Sequence, residues 1–153
     1  MHERLTHLDT QGAASMVDVS AKKPMRRTAL AQGYFHAKVS TLDALLGGEL
    51  SKGEGLGVAR IAGIQAAKLC STLIPLCHPL PLEHVDVQFE REGEEHLKIE
   101  ARVVTTARTG IEMEALTAVS ITALTLWDMT KAIDKTLSIG EITLVEKCKE
   151  EID

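Results

Sequence analysis

The fold class this sequence predicts is α+β, a sandwich with a mainly antiparallel sheet and helices on one face, and three observations carry it. Segments that alternate apolar and polar residues stand early, in the middle and at the end of the chain, as strands with one buried face do. Stretches with helical apolar spacing separate them. The resulting order is strands, helices, a strand pair, a long helix and a strand, which suits a sheet with its helices segregated to one side. A split βαβ, ferredoxin-like arrangement satisfies that order.

No repeat, low-complexity tract or linker divides the 153 residues, so the expectation is a single catalytic domain over 1–153, with charged ends that fray over about 1–12 and 148–153. MVDVS and AQGYFHAKVS read as extended segments, the second alternating about Tyr34, His36 and Lys38. Ser40 and Asp43 open STLDALLGG with a capping-box pattern, and Gly47 stops that short helix. In KGEGLGVARIAGIQAAKLCSTLIP, residues Val58, Ile61, Ala62, Ile64, Ala66 and Leu69 recur at helical spacing until Pro75 forbids continuation. Small residues at Ala59, Gly63, Ala66 and Ala67 allow a neighbouring element to approach closely. LEHVDVQFEREGEEHLKIEARVVTT alternates on both sides of a charged turn at Gly93, the pattern of a hairpin with one buried face. Thr109 and Glu112 form a second capping-box pattern that opens a helix from about Ile111 to Ile133, and TLSIGEITLVEK supplies the last strand.

Composition narrows the function. Apolar residues make up 44 % of the chain and aromatics only 3 %, so Ala, Leu, Ile and Val must fill the core. A formal net charge of -5 argues against a partner held by phosphate neutralisation along DNA or RNA. Three cysteines without CxxC spacing suit reduced thiols rather than a disulfide framework. No basic region followed by an apolar stretch opens the chain, and the uncharged run Ala115 to Trp127 is too short to span a bilayer. The expectation is a soluble, cytoplasmic protein without a membrane partner.

Several short stretches carry chemistry. IPLCHPLPL gathers three of the four prolines around Cys77 and His78, so it is a stiff loop or strand edge rather than a helix. Adjacent residues in an extended segment point to opposite faces, which disfavours a thiolate–imidazolium pair. Zinc would need His84, Cys70 or a remote carboxylate as further ligands, and no zinc spacing results. Asp128 and Lys131 in WDMTKAIDK share one helical face; the spacing fits a surface ion pair as well as an acid–base pair. Lys52 lies in the glycine-rich GGELSKGEG, which lacks the full P-loop pattern. Glu112 and Glu114 oppose the dipole of the helix they begin. Between Glu114 and Asp128 that helix has no charge, and its apolar residues point in nearly every direction. That pattern fits a central core helix or, as a domain with one sheet to pack on favours, a helix whose second face meets another subunit. Fourteen positions separate Glu114 from Asp128, about 21 Å along a helix, so a site that used both ends would combine two subunits.

Together LTHLD, MVDVSAK, KGEGLGVARIAGIQAAK, IPLCHPLPLEHVDV, TGIEMEALTAVSITALTLWDM and DMTKAIDK resemble the cyclic pyranopterin monophosphate synthases, the protein C family of molybdenum cofactor biosynthesis, over nearly the whole chain. The resemblance implies a lyase that takes (8S)-3',8-cyclo-7,8-dihydroguanosine 5'-triphosphate, the product of a radical partner enzyme, to cyclic pyranopterin monophosphate and diphosphate. It implies a ferredoxin-like subunit in a homohexamer, a trimer of dimers with sites at the dimer interface. No cofactor is implied beyond Mg²⁺ as an option with the triphosphate.

By position, Asp128 matches the family's active-site acid, Lys131 the lysine of its DM..K motif and Lys52 the third catalytic residue, with no metal ligand among them. Leu76, Cys77 and His78 match the substrate-binding loop, as do Met113 and Glu114 at the helix start; Glu112 and Arg27, with Arg26 beside it, look like pocket residues. Trp127 and Thr130 stand where the family pattern has Tyr and Cys, and Gly57 replaces a larger residue, while every charged pocket residue is intact. These residue types suit repeated proton transfer and neutralisation of a triphosphate. A non-catalytic nucleotide-binding oligomer, using the same lysines, is the alternative reading.

Overall fold

Along Met25–His36 every second side chain from Ala29 to Phe35 is buried and its neighbours are partly exposed, the alternation of a strand with one covered face. The computed structural model, which describes residues 8–9 and 11–152, makes this segment β1 and pairs it antiparallel on both sides. His96–Ala107 (β3) lies on one side and Ser138–Glu150 (β4) on the other, while His84–Glu92 (β2) completes the sheet beyond β3. The strand order is β2-β3-β1-β4, the ferredoxin-like order expected of a split βαβ unit. The hairpin β2–β3 turns at Gly93, whose φ of 71° favours glycine.

Among the described residues there are also four helices: Val39–Leu46 (α1), Gly55–Lys68 (α2), Cys70–Leu73 (α3) and Glu112–Thr130 (α4). Two glycines show how the larger ones sit on the sheet. A Cβ at Gly33 of β1 would lie 2.8 Å from Val119 Cγ1 of α4 and 3.0 Å from Ile142 Cγ1 of β4. A Cβ at Gly63 of α2 would collide with Thr122 Oγ1 of α4 and lie 3.1 Å from the Ala118 carbonyl and 3.4 Å from Val87 of β2. Both helices therefore rest on the same face, and the core of Phe35, Leu97, Ile99, Val103, Val119 and Leu126 lies between the layers. The other face is polar: Tyr34 donates to Glu92 at 2.9 Å, and Lys98 Nζ lies 2.7 Å from Glu90 and 3.0 Å from Glu92.

The structure departs from the sequence pattern in several places. Neither capping box forms: Lys38 caps α1 and Ile111 caps α4, each without a side-chain bond. Ser40 already lies inside the first turn of α1, and Glu112 is drawn instead to Lys147 at 3.1 Å. MVDVS joins no strand, and β1 begins earlier than the AQGYFHAKVS pattern, at Met25, because Met25–Leu30 pair with Ala107–Arg102 of β3 and Arg26–Leu30 with Glu150–Glu146 of β4. The helix that Pro75 was to end breaks at Leu69, and α3 follows as one short turn. At the C-terminal end, Cys148–Glu150 pair with Arg26–Thr28 within β4 rather than fray. At the other end Asp9 accepts from the amides of Gln11 and Ala13 at 2.8 and 2.9 Å; residues 1–7, 10 and 153 of the expected frayed ends lie outside the described residues.

The contact at Gly63 supplies a test of the α2–α4 packing. A larger residue meets a backbone carbonyl that cannot rotate away, so Gly63→Val should lose about 2 kcal/mol of stability. Urea unfolding at fixed protein concentration should show the lower midpoint with an unchanged slope.

Candidate active site

Helical spacing brings Lys131, in the turn after α4, back onto Asp128 in its last turn: Lys131 Nζ lies 2.6 Å from Asp128 Oδ1. Lys52 arrives from the loop between α1 and α2, and its Nζ donates to Asp128 Oδ2 at 3.0 Å and to the Asp128 carbonyl at 2.8 Å. That loop can fold back because Gly48 and Gly53 take positive φ, 70° and 98°, and because Leu50 anchors it in the core. The hydrogen bond from Lys131, then that from Lys52, holds the Asp128 carboxyl below the usual carboxylate range. The three side chains are about half exposed, so the pairs add little to stability. Their effect is to preform a charged constellation.

At the other end of α4, a cavity of about 320 Å³ is bounded by Leu76, Cys77 and His78 from the proline loop and by Glu112, Met113 and Glu114 from the first helical turn. The loop is fixed from behind: Thr105 Oγ1 donates to the Pro81 carbonyl at 2.5 Å, the Glu83 amide donates to Val104, and Leu80 and Leu82 pack on the core. His78 Nε2 lies 2.8 Å from the Val17 carbonyl. A carbonyl only accepts, so that nitrogen carries the proton in this contact. The bond holds the MVDVSAK stretch against the cavity, where Val17, Val19 and Lys22 form part of the wall.

Glu114 is buried, with 4 % exposure, and burial pushes its carboxyl above the ordinary value. Beneath it the Cys70 thiol is buried beside Thr117, Sγ 3.6 Å from Oγ1, and burial pushes it up to about 12. Burial also raises the Cys77 thiol. Cys77 is therefore a neutral thiol on the cavity wall rather than an activated nucleophile.

A second cavity of about 280 Å³ adjoins the first, with Gly110 and Glu112 in both walls. Arg27, Lys147 and Lys149 make it cationic. Arg27 Nε donates to the Ala107 carbonyl at 3.1 Å, and the residue lines this cavity together with Glu112. Arg26 points away, paired with Glu150 at 3.0 Å. Arg27, not Arg26, thus faces this pocket.

The ten residues singled out from the sequence fall into two groups. Asp128, Lys131 and Lys52 meet at one end of α4; Leu76, Cys77, His78, Met113, Glu114, Glu112 and Arg27 surround two joined cavities at the other. Since α4 runs unbroken from Glu112 to Thr130, the groups are about 21 Å apart along its axis. Sequence reasoning missed Lys22, Lys147 and Lys149. Lys22 closes the MVDVSAK stretch, which was a usable signal; the lysines of VEKCK had none, because only strand pairing brings Lys147 to Glu112 and Lys149 to the same cavity. Among the described residues no group of three or more His, Cys, Asp or Glu is placed to hold a metal ion.

The family model described as MoaC family matches residues 16–149. Cyclic pyranopterin monophosphate synthase 3 of Mycobacterium bovis is 57 % identical over 143 residues, 94 % of this chain and 81 % of that protein. Cyclic pyranopterin monophosphate synthase of Pelotomaculum thermopropionicum is 54 % identical over 144 residues, 94 % and 85 % of the two chains. The synthase of Listeria monocytogenes serotype 4a is 48 % identical over 143 residues, 94 % and 89 %.

The burial of Glu114 has a signed consequence. Its folded pKa lies above its unfolded value, so between the two the native state holds a proton that the unfolded chain has lost, and stability falls as pH rises through that window. Glu114→Gln should remove this slope, leaving the variant at least as stable as the parent at neutral pH. Urea midpoints from acid to neutral pH check it.

Proposed function

The chain belongs to the MoaC family, and on that premise we propose that it is an enzyme of molybdenum cofactor biosynthesis. It is a phosphorus–oxygen lyase that converts (8S)-3',8-cyclo-7,8-dihydroguanosine 5'-triphosphate to cyclic pyranopterin monophosphate and diphosphate. The synthase names of the relatives lend nothing to the non-catalytic alternative.

The observation that carries the site assignment is the division of the candidate residues between the two ends of one continuous helix. One small nucleotide does not reach across about 21 Å of helix. Two subunits related by a twofold axis bring the Lys52–Asp128–Lys131 end of one α4 to the Glu114 end of the other, giving two equivalent sites per dimer. Three such dimers form a hexamer, in the cytoplasm. Exposed apolar side chains on α2 and α4, Val58, Ile61, Leu124 and Trp127, offer the surface for subunit contact.

Within such a site the labour divides by chemistry. The rigid Leu76–Cys77–His78 edge and Met113–Glu114 hold the purine-derived ring, and the buried Glu114 carboxyl hydrogen-bonds a ring nitrogen or oxygen. Arg27 and Lys147 take the phosphates. As an oxygen of the substrate closes on the α-phosphorus and diphosphate departs, these cations neutralise the charge that leaves with it. Asp128, clamped between two ammonium groups, is a weak base at rest. Phosphate that draws Lys52 away raises its basicity, and Asp128 and Lys131 then exchange protons with the rearranging ring.

Asp128→Asn and Lys131→Ala should each abolish product formation while assembly persists. The shared site is tested by mixing Asp128→Asn with Arg27→Ala chains, each expected to be inactive alone. After random reassociation about a quarter of the sites are free of both substitutions, and diphosphate release should recover to about that level. No recovery, with mixed dimers demonstrated, would put the whole site within one chain.

A further inference from the structure

We propose that Asp134 is a positioning residue for the Lys52–Asp128–Lys131 cluster, pinning the turn that follows α4 to the beginning of α1. Asp134 is 1 % exposed and touches none of the three. Its Oδ2 accepts from the Lys38 amide at 2.9 Å and the Thr41 hydroxyl at 3.0 Å; its Oδ1 accepts from the Thr136 amide and hydroxyl, both at 2.8 Å. Each oxygen receives two donors, so only an ionised carboxylate fits. An amide at this position would turn an NH₂ toward one pair of them. Burial works to raise the carboxyl, but these four bonds outweigh it and hold it below the usual range.

Two lines of contact run from this clamp to the cluster. The amides of Ile133 and Asp134 both donate to the Thr130 carbonyl, at 3.0 and 3.2 Å, so the turn carrying Lys131 is continuous with the clamped residue. On the other side, α1 leads from its cap at Lys38 to Leu45 in its last turn, and a Cβ at Gly55 would lie 2.6 Å from Leu45 Cδ1, 2.9 Å from Leu50 Cδ1 and 3.9 Å from Met129 Cβ. Leu45, Leu50 and Met129 thus enclose one point. Leu50 is two residues before Lys52, and Met129 follows Asp128. Fixing α1 against the end of α4 fixes where both ammonium groups meet the carboxylate. A displacement of about 1 Å at such a constellation costs roughly a hundredfold in rate.

The kinetic arm of the test rests on the function proposed above; the titration arm does not. The charged groups facing Asp128 are Lys131 from the turn after its own helix and Lys52 from the loop. In Asp134→Asn both loosen, and the Asp128 carboxyl, followed by ¹³C NMR, should titrate about one unit higher, with kcat reduced about a hundredfold and KM changed far less. Ile99→Ala, a core truncation in β3, destabilises without touching the clamp and should leave the Asp128 titration in place. Should Asp134→Asn fail to fold, Thr41→Val and Thr136→Val each remove one donor and should raise the titration by smaller amounts. An Asp128 that titrates as in the parent in folded Asp134→Asn, or in both threonine variants, overturns the proposal. A parent protein that leaves the cyclised nucleotide unchanged overturns the proposed function instead, and the titration still decides on Asp134.

Discussion

A helix with no charge between Glu114 and Asp128 must be covered along most of its length, and the sheet covers only one side of α4. This constraint orders the molecule. Charged residues can sit only at the helix ends, so the charged candidate residues collect there, in two groups separated by a rigid spacer. Helix packing closes the second side in part: α2 lies against α4 through Ala59, Gly63, Ala66 and Ala67, all buried. With aromatics at 3 % of the sequence, close backbone approach takes the place of large side chains in filling the core. Where α2 ends its cover, Leu124 and Trp127 remain exposed, at 55 % and 37 %.

Rigidity at the two ends has different sources. The Glu114 end is stiff because three prolines remove backbone freedom and the Thr105–Pro81 bond ties the loop to β3. The charged end has no such frame of its own. Its loop contains Gly47, Gly48 and Gly53, residues that widen conformational freedom, and it gains order from Leu50 in the core and from the Asp134 clamp. Order at that end is thus borrowed from tertiary contacts.

What could be read from the sequence follows the same division. Periodicity exposed every strand of the sheet and the two long helices, because burial on one face leaves a signal of fixed period. Quoted motifs brought all ten candidate residues to two places. The capping boxes misled because the donors at the start of α1 are met by Asp134, nearly a hundred positions away, and no local pattern reports a partner so distant. For the same reason Lys147 was invisible: its relation to Glu112 exists only once β4 pairs with β1. MVDVS alternates like a strand yet bonds through Val17 to His78, since an alternating pattern records that one side is covered and not what covers it.

The two carboxylates at the ends of α4 run against the helix dipole. Glu114, in the first turn, lies where the dipole favours ionisation, but burial dominates and pushes its carboxyl up. Asp128, in the last turn, lies where the dipole opposes a negative charge, but Lys131 and Lys52 dominate and hold its carboxyl down. One helix therefore presents a carboxyl inclined to keep its proton at one end and a carboxylate inclined to give it up at the other. Environments that drive two acids apart in this way are those in which one serves as proton donor and the other as acceptor. If the opposite ends of two such helices enclose a single nucleotide, as proposed above, that separation places both partners of a proton transfer in one site, and the spacer that keeps them apart within one chain would let them meet only between subunits.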